Sequence, residues 1–520
     1  MPHDTIASEP RVHAARLSEQ MSRWAPLCCL AIVLAGVAIR LLALPHSLWV
    51  DEVASVKFAE QPWAHLWSDW MRRETNPPLF YSVLKLWMQI AGGSDLSLRI
   101  PSIVYGSASI ALAYLLGART AGPWAGLAAA ALVAISPTEV QYSLEIRGYA
   151  QAQFGALVSL LGAIAFCDAD RARARWAGLA LYAVGGAVAL YSHTLLLLLP
   201  AIVGPWVFVW LAFVRKAKPA ILLQWIAASA VVLIAAAWWL SITLWQIQHP
   251  ANIAWIPRPT RGLAVNYLLK TYGPGGGSLR AMLGSCAMLA AFLYMMWRYR
   301  RSASLVLAVC AIGAPLLLFV LSAITPVMLP RAFFWAVAPF LIAVAAGLAA
   351  IRSRAVGVVL FGLIAVQTLS GAHAFAIRRD IEPYKQIVSR LQAVDPRAIV
   401  VANNAPTALS LDRYCRRPSC SIAIMTLKVA ESWAAEMPKP HLVAVAELPG
   451  VLACKGEIYT VVRGRLNDPA ATLAGLAEPE DLSARFEARP ALVIKRWRLK
   501  PGRRPVNSPA CATSPAALAQ

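Results

Sequence analysis

Residues 26–44 read Pro26-Leu-Cys-Cys-Leu-Ala-Ile-Val-Leu-Ala-Gly-Val-Ala-Ile-Arg-Leu-Leu-Ala-Leu44, a run dominated by aliphatic side chains. Wound as a helix, a run of this length crosses the roughly 30 Å of hydrocarbon in a bilayer. It is long, Arg16 and Arg23 precede it, and no small-residue cleavage site follows, so it reads as a retained signal anchor. Comparable runs recur near 100–118, 122–137, 148–167, 175–192, 195–214, 221–245, 280–298, 303–325, 331–350 and 355–375. The chain is therefore expected to be an all-α polytopic membrane protein of about eleven spans, with a small C-terminal α/β soluble domain.

The composition agrees. The 520 residues are 59% hydrophobic and 14% charged, with mean hydropathy +0.58. A soluble domain is nearer one quarter charged, about. The net charge of +22 would suit a nucleic-acid partner if the basic residues formed one surface, but they do not. Arg119, then Arg171, Arg173 and Arg175, then Arg215, Lys216 and Lys218, then Arg298, Arg300 and Arg301, then Arg352 and Arg354 occupy every second loop. That alternation is the positive-inside pattern, so these loops are cytoplasmic and no nucleic-acid partner is implied.

Parity then sets the rest of the topology. Residues 1–24 are expected in the cytoplasm, and the loops 45–99, 138–147, 193–194, 246–279 and 326–331 all face the external side. The apolar run Pro78 to Ile90 is too short for a span, and counting it would invert every later loop, so it reads as interfacial or re-entrant. After residue 375 charges spread evenly. The segments Ala398–Ala402, Ser421–Met425, His441–Val445, Glu457–Val462 and Ala491–Arg496 read as strands of an external α/β domain over 376–500. Residues 501–520, rich in Pro, Ala and Ser, read as a disordered tail. Cys415 and Cys420 lie in the external part, where an oxidising compartment would let them pair, and CxxC and HExxH are absent.

The polar residues that stand out are all external. The first loop carries Asp51-Glu52, an acidic pair just past the first span, where partial desolvation tunes a carboxylate for proton abstraction. The bland alternative is a solvated pair with no task. Thr75-Asn76-Pro77-Pro78-Leu79-Phe80-Tyr81 follows, its double proline setting an extended lead into a helix. Arg99, in Leu98-Arg99-Ile100-Pro101-Ser102, is an external juxtamembrane cation suited either to an anion or to a lipid headgroup. The loop Ser136-Pro137-Thr138-Glu139-Val140-Gln141-Tyr142-Ser143-Leu144-Glu145-Ile146-Arg147-Gly148-Tyr149 is dense in hydrogen-bonding groups, and the ordinary alternative for Glu145 and Arg147 is that they offset each other. Pro330-Arg331 supplies another external cation, and His193 lies between two spans on the same side.

Taken in order, these motifs resemble the GT-C glycosyltransferases, in the branch that holds protein O-mannosyltransferases and the bacterial aminoarabinose transferases that modify lipid A. The resemblance covers roughly residues 25 to 375. It implies a bacterial inner-membrane enzyme with a periplasmic C-terminal domain. A sugar would arrive on a polyprenyl phosphate and pass, with inversion, to an envelope acceptor that is protein, lipid or glycan. By the same resemblance Asp51 is the acceptor-activating base with Glu52 its partner, and Arg99, Arg147 and Arg331 serve the donor phosphate. Asn76, Tyr81, Tyr142, Glu145, Tyr149 and His193 are substrate-binding candidates. Relatives often have His or Lys where Asn76 stands, which puts a metal role at that turn in doubt, so no metal site is assigned and a divalent cation stays open.

The chemistry is coherent apart from the resemblance. Displacement at an anomeric carbon needs a carboxylate to take the acceptor proton and a cation to hold the departing phosphate, and arginine's fork suits that anion. The rival readings are a carrier or flippase for a lipid-linked sugar, which would place ionisable groups deep in repeated, broken spans that the sequence does not display, and a non-catalytic receptor or assembly factor.

Overall fold

A chain in hydrocarbon must satisfy its backbone N–H and C=O groups internally, which an apolar segment does by forming a helix. The computed structural model describes residues 9–249, 256–273, 279–377, 381–415, 420–427, 441–464, 468–483 and 492–501. Among them, seven helices are long and apolar enough to cross a membrane: Arg23–Leu42, Asp95–Ala121, Tyr149–Asp168, Thr194–Val214, Leu279–Arg298, Ala303–Leu321 and Arg354–Ile377. Two bent pairs bring the number to nine if each counts as one span. The protein is thus a mostly helical, multi-pass membrane protein, and the expected count of about eleven is the part that differs.

The difference has local causes. The run expected over 122–137 is broken into Pro123–Ile135 and Pro137–Leu144, bent by 59° where Ser136 caps the second helix and Pro137 cannot continue the first. The run expected over 221–245 bends by 57° between Pro219–Ala235 and Ala237–Gln248. The last expected run but one is the shorter apolar helix Phe334–Ala349, and Leu79–Ala91 is short as the sequence implies. The expectation that no span carries a charge also needs correction. Arg40, inside the first long helix, is fully buried, its Nε donating to Ser143 Oγ at 2.7 Å and Nη1 to Gly36 O at 3.0 Å. Glu139, in the second half of the first bent pair, is also buried and accepts from Gln153 Nε2. An aliphatic setting hid Arg40 in the sequence, whereas Glu139 stood in a polar loop, and internal hydrogen bonds make the burial of both tolerable.

Three of the basic loops lie side by side. Arg119 pairs with Asp168 at 3.6 Å, and Arg215 donates to Cys167 O, to Ala169 O at 2.9 Å and to Asp170 at 3.3 Å. The helices Tyr149–Asp168 and Ala172–Ser192 pack backbone against backbone through glycines. A Cβ at Gly162 would sit 2.3 Å from Tyr182 N, and one at Gly185 2.4 Å from Ser159 N. Small residues at such crossings let membrane helices approach closely. At the open end of this pair a Cβ on Gly148 would lie 2.3 Å from Ser192 O, so Tyr149 and His193 start and end the two helices side by side.

The chain divides into two compact units, Met1–Leu44 with Trp67–Val83 and Arg99–Ile377, and Pro45–Leu66 with Leu84–Leu98 and Arg378–Gln520. The second contains a sheet of β1 (Ile399–Ala402), β2 (Ala423–Leu427), β3 (His441–Val443), β4 (Glu457–Arg463), β5 (Ala477–Asp481) and β6 (Leu492–Leu499) in the order β3-β2-β1-β4-β6-β5. The first four are parallel and β6 runs antiparallel to β4 and β5. Val400, Ile424, Tyr459 and Ile494 enter one core and Val401, Met425, Ile458 and Trp497 the other, so both faces are covered, as a parallel sheet requires. Strand β5 was missed because Ala-Glu-Pro-Glu-Asp is acidic and holds a proline, a composition tolerated only at an edge. Cys415 and Cys420 form a disulfide. The tail expected to be disordered falls outside the described residues, apart from Pro501.

Gly162→Ala should lower stability by about 1–3 kcal/mol, because its methyl meets backbone that cannot yield. Gly362→Ala, where nothing lies within 4 Å, should be neutral or stabilising by under about 1 kcal/mol. Thermal unfolding of both variants in detergent, compared with the parent, checks the contrast.

Candidate active site

The loops that parity put on one side meet within the first unit. Glu74, just before the quoted Thr75-Asn76-Pro77-Pro78 turn, is buried and lies 3.5 Å from Arg147 Nη2. The same Oε1 accepts from Asn76 N and Nδ2, each at 3.1 Å, so Asn76 shapes the turn around that carboxylate. Gln246 donates to Arg72 O at 3.0 Å and Glu74 O at 2.6 Å, and Thr194 Oγ1 donates to Thr75 O. Trp239 Nε1 in turn donates to Thr194 Oγ1 at 2.9 Å. Segments near residues 75, 147, 194 and 246 are therefore bound into one cluster by buried polar contacts, which are strong where water is excluded.

Arg147 also reaches Tyr81 Oη at 3.5 Å. Burial, opposed by the Arg147 charge and reinforced by Glu74, holds the Tyr81 phenol well above its ordinary range, so it stays protonated. Beside it is an aromatic group. The rings of Tyr142 and Tyr149 lie 5.0 Å apart, each is 5.1–5.3 Å from Phe334, and Tyr149 is 5.4 Å from His193. Phe334 follows Arg331 by one turn, which brings the half-buried Arg331 to this group.

His193 is buried, and its Nδ1 accepts from Leu195 N at 3.2 Å, capping the turn Thr194–Leu197. Burial, with the Arg147 and Arg331 guanidiniums next in importance, pushes its pKa down to about 3. It is a neutral imidazole at ordinary pH. The two arginines act on the same ring, so positive charge concentrates there. That is the electrostatic setting that draws an anion.

Not every expected residue joins that cluster. Arg99 is fully buried and donates from Nη1 to Leu144 O at 2.6 Å, holding the end of the Pro137–Leu144 helix. Glu145 accepts from Gln141 Nε2 at 3.0 Å. Asp51 and Glu52 belong to the second unit, in the first turn of the helix Val50–Glu60, where the helix dipole favours acidic side chains. Glu52 is buried and reaches back to accept from Trp49 N at 3.2 Å, whereas Asp51 is half-buried. Glu74, Gln246 and Phe334 were missed by sequence reasoning. Only Glu74 had a signal, its place one residue before the marked turn. Among the described residues no three of His, Cys, Asp or Glu come together as a metal site.

Residues 75–241 match the protein family described as "Dolichyl-phosphate-mannose-protein mannosyltransferase". That match covers less than half of the chain. The matched segment contains Asn76, Tyr81, Arg99, Arg147 and His193 and spans the cluster just described except for Glu74, Gln246, Arg331 and Phe334. The fold of this chain is shared by ArnT from Cupriavidus metallidurans in the apo state, with TM-score 0.62 and 13% identity over 90% of this chain and 97% of that one. It is shared equally by the same protein bound to undecaprenyl phosphate, with TM-score 0.60 and 14% identity over 91% and 98%. The oligosaccharyltransferase of Archaeoglobus fulgidus is more distant, with TM-score 0.50 and 14% identity over 75% of this chain and 63% of that one. No curated protein sequence matches the chain.

Two outcomes follow from this geometry. Glu74→Ala leaves the Arg147 charge buried without its carboxylate and should cost about 3 kcal/mol in stability, read by thermal or denaturant unfolding in detergent. For His193, the unfolded chain takes up a proton below its usual 6.5 that the folded chain refuses until about 3. Stability should therefore be full above pH 6.5 and fall as pH drops toward 3, by up to about 1.4 kcal/mol per pH unit. His193→Asn should flatten that part of the stability–pH curve.

Proposed function

We propose that this chain is a GT-C enzyme that transfers a sugar from a polyprenyl-phosphate donor to an envelope acceptor, whether protein, lipid or glycan, on the periplasmic face of a bacterial inner membrane. The observation that carries the reading is the pair of guanidiniums, Arg147 and Arg331, bearing on one buried, neutral histidine among aromatic rings. Such a cluster offers fixed positive charge to a phosphate and flat apolar faces to a sugar or isoprenoid. The likeness in fold to a protein solved with undecaprenyl phosphate supports the same donor class.

In this scheme Asp51 takes the proton from the acceptor as its oxygen attacks the anomeric carbon. The bond from that carbon to the phosphate oxygen breaks, and Arg147 and Arg331 hold the charge that develops on the departing lipid phosphate. Inversion follows from a single displacement. Tyr81, kept protonated, serves as a hydrogen-bond donor, and Tyr142, Tyr149, Asn76 and Glu145 line the substrate. Arg99 acts through the Pro137–Leu144 helix whose end it holds. The buried Arg40 and Glu139, with the two bent helix pairs, are features that a carrier of lipid-linked sugar would also use.

Purified protein in vesicles loaded with polyprenyl-phosphate sugar separates these readings. Asp51→Asn should fold as the parent does and lose transfer by about 1000-fold, on the scale of a lost general base. Arg331→Gln should weaken donor binding and slow transfer together. Wild-type turnover by Asp51→Asn would remove it from the mechanism, and lipid movement across the vesicle with no transfer by the parent would favour the carrier.

A further inference from the structure

The helix carrying Asp51 is built into the core of the C-terminal domain. Val50, its first residue, packs with Tyr384, Ile387, Val400 and Val461. Three hydrogen bonds tether the segment that leads into it. Ser47 Oγ accepts from Lys385 N at 3.2 Å, Leu48 N donates to Tyr414 Oη at 2.7 Å, and Val50 N donates to Glu382 Oε2 at 3.0 Å. The last contact places a carboxylate on the first N–H of the helix, next to Asp51, where the dipole favours it.

Glu382 is itself fixed. It is buried, and its Oε1 accepts from Arg463 Nε at 2.5 Å. Arg463 ends β4, and Asn403 follows β1, the neighbouring parallel strand. Asn403 accepts from Arg463 N at 2.9 Å and donates from Nδ2 to Arg463 O at 3.1 Å. These residues lie outside the carboxyl ends of β1 and β4, where the sheet order turns back on itself: β2 and β3 extend to one side of that pair and β6 and β5 to the other. Open α/β sheets place their functional residues at such a point. Burial opposes the Arg463 charge, but Glu382, with Tyr384 and Asp51 adding to it, more than offsets that and raises its pKa.

We infer that the C-terminal domain positions Asp51, through the chain Asn403–Arg463–Glu382–Val50 N, so that Glu382 and Arg463 are positioning residues for the transfer reaction. The inference rests on the reading of Asp51 as the base and assigns to the domain a task in the chemistry. Asp51 sits at the half-buried end of a helix whose first N–H is pinned by Glu382. A helix start released by as little as an ångström would move the carboxylate away from the acceptor hydroxyl, at a cost of up to about 100-fold in rate.

The test uses the full-length protein in vesicles with a polyprenyl-phosphate sugar donor, measured by single-turnover transfer of radiolabelled sugar. Glu382→Ala should slow transfer by about 10- to 100-fold, while Glu382→Gln, whose amide oxygen still accepts from Val50 N, should keep most of it. In an Asp51→Asn background Glu382→Ala should cost nothing further, because it acts only through Asp51. Folding is followed by thermal unfolding of the purified variants in detergent. If Glu382→Ala does not fold, Arg463→Met, at a half-exposed site, should show the same loss and the same silence in the Asp51→Asn background. Equal losses with and without Asp51 would make the contact merely structural and overturn the inference. So would full activity of both variants beside an inactive Asp51→Asn, which leaves the base reading standing. Full activity of Asp51→Asn by itself would overturn the base reading and the inference with it.

Discussion

The buried contact between Glu74 and Arg147 organises the helical unit's polar end. Neither charge is tolerable alone in a region that excludes water, so each requires the other and the hydrogen bonds around it. Glu74 gathers the turn at Asn76, whose flanking carbonyls are claimed by Gln246 and Thr194. Arg147 ends the segment after the broken helix pair and enters the glycine that opens Tyr149–Asp168. Four stretches far apart in the chain are thereby tied to one carboxylate. The glycine-packed helix pair supplies the rigidity behind them, because backbone meeting backbone leaves no slack for Tyr149 or His193 to drift.

That arrangement makes electrostatic sense for anion recognition. Two arginines bear on an imidazole that burial keeps uncharged, so the histidine adds no competing positive charge and no proton of uncertain ownership. The aromatic rings of Tyr142, Tyr149 and Phe334 exclude water and so strengthen the guanidinium charges. The Asp51 helix belongs to the other unit, where a parallel sheet covered on both faces gives it a stiff footing.

The membrane character, the alternation of basic loops and most of the strands were legible because each depends on local periodicity: apolar runs of span length, charge at every second loop, and short β-branched segments such as Ile399–Ala402. Local signals also misled. An apolar run at 122–137 looked continuous, yet Pro137 and the Ser136 cap divide it. Strand β5 has no strand composition because, at an edge, pairing with β6 and the Glu480–Arg496 contact matter more than propensity. Arg40 lay within aliphatic surroundings that drew attention away from it.

By itself, the sequence determined that this chain is a multi-pass membrane protein, and its charge pattern set the expectation that the unusual carboxylates and arginines share one side. Those are consequences of hydropathy and charge, which act residue by residue. Only tertiary structure decided that Arg147 meets Glu74, that His193 is held neutral, that Arg99 holds a helix end, and that the Asp51 helix starts on a carboxylate of the C-terminal domain. These depend on contacts between residues tens to hundreds of positions apart, whose formation is governed by burial and close packing, and no local pattern encodes them.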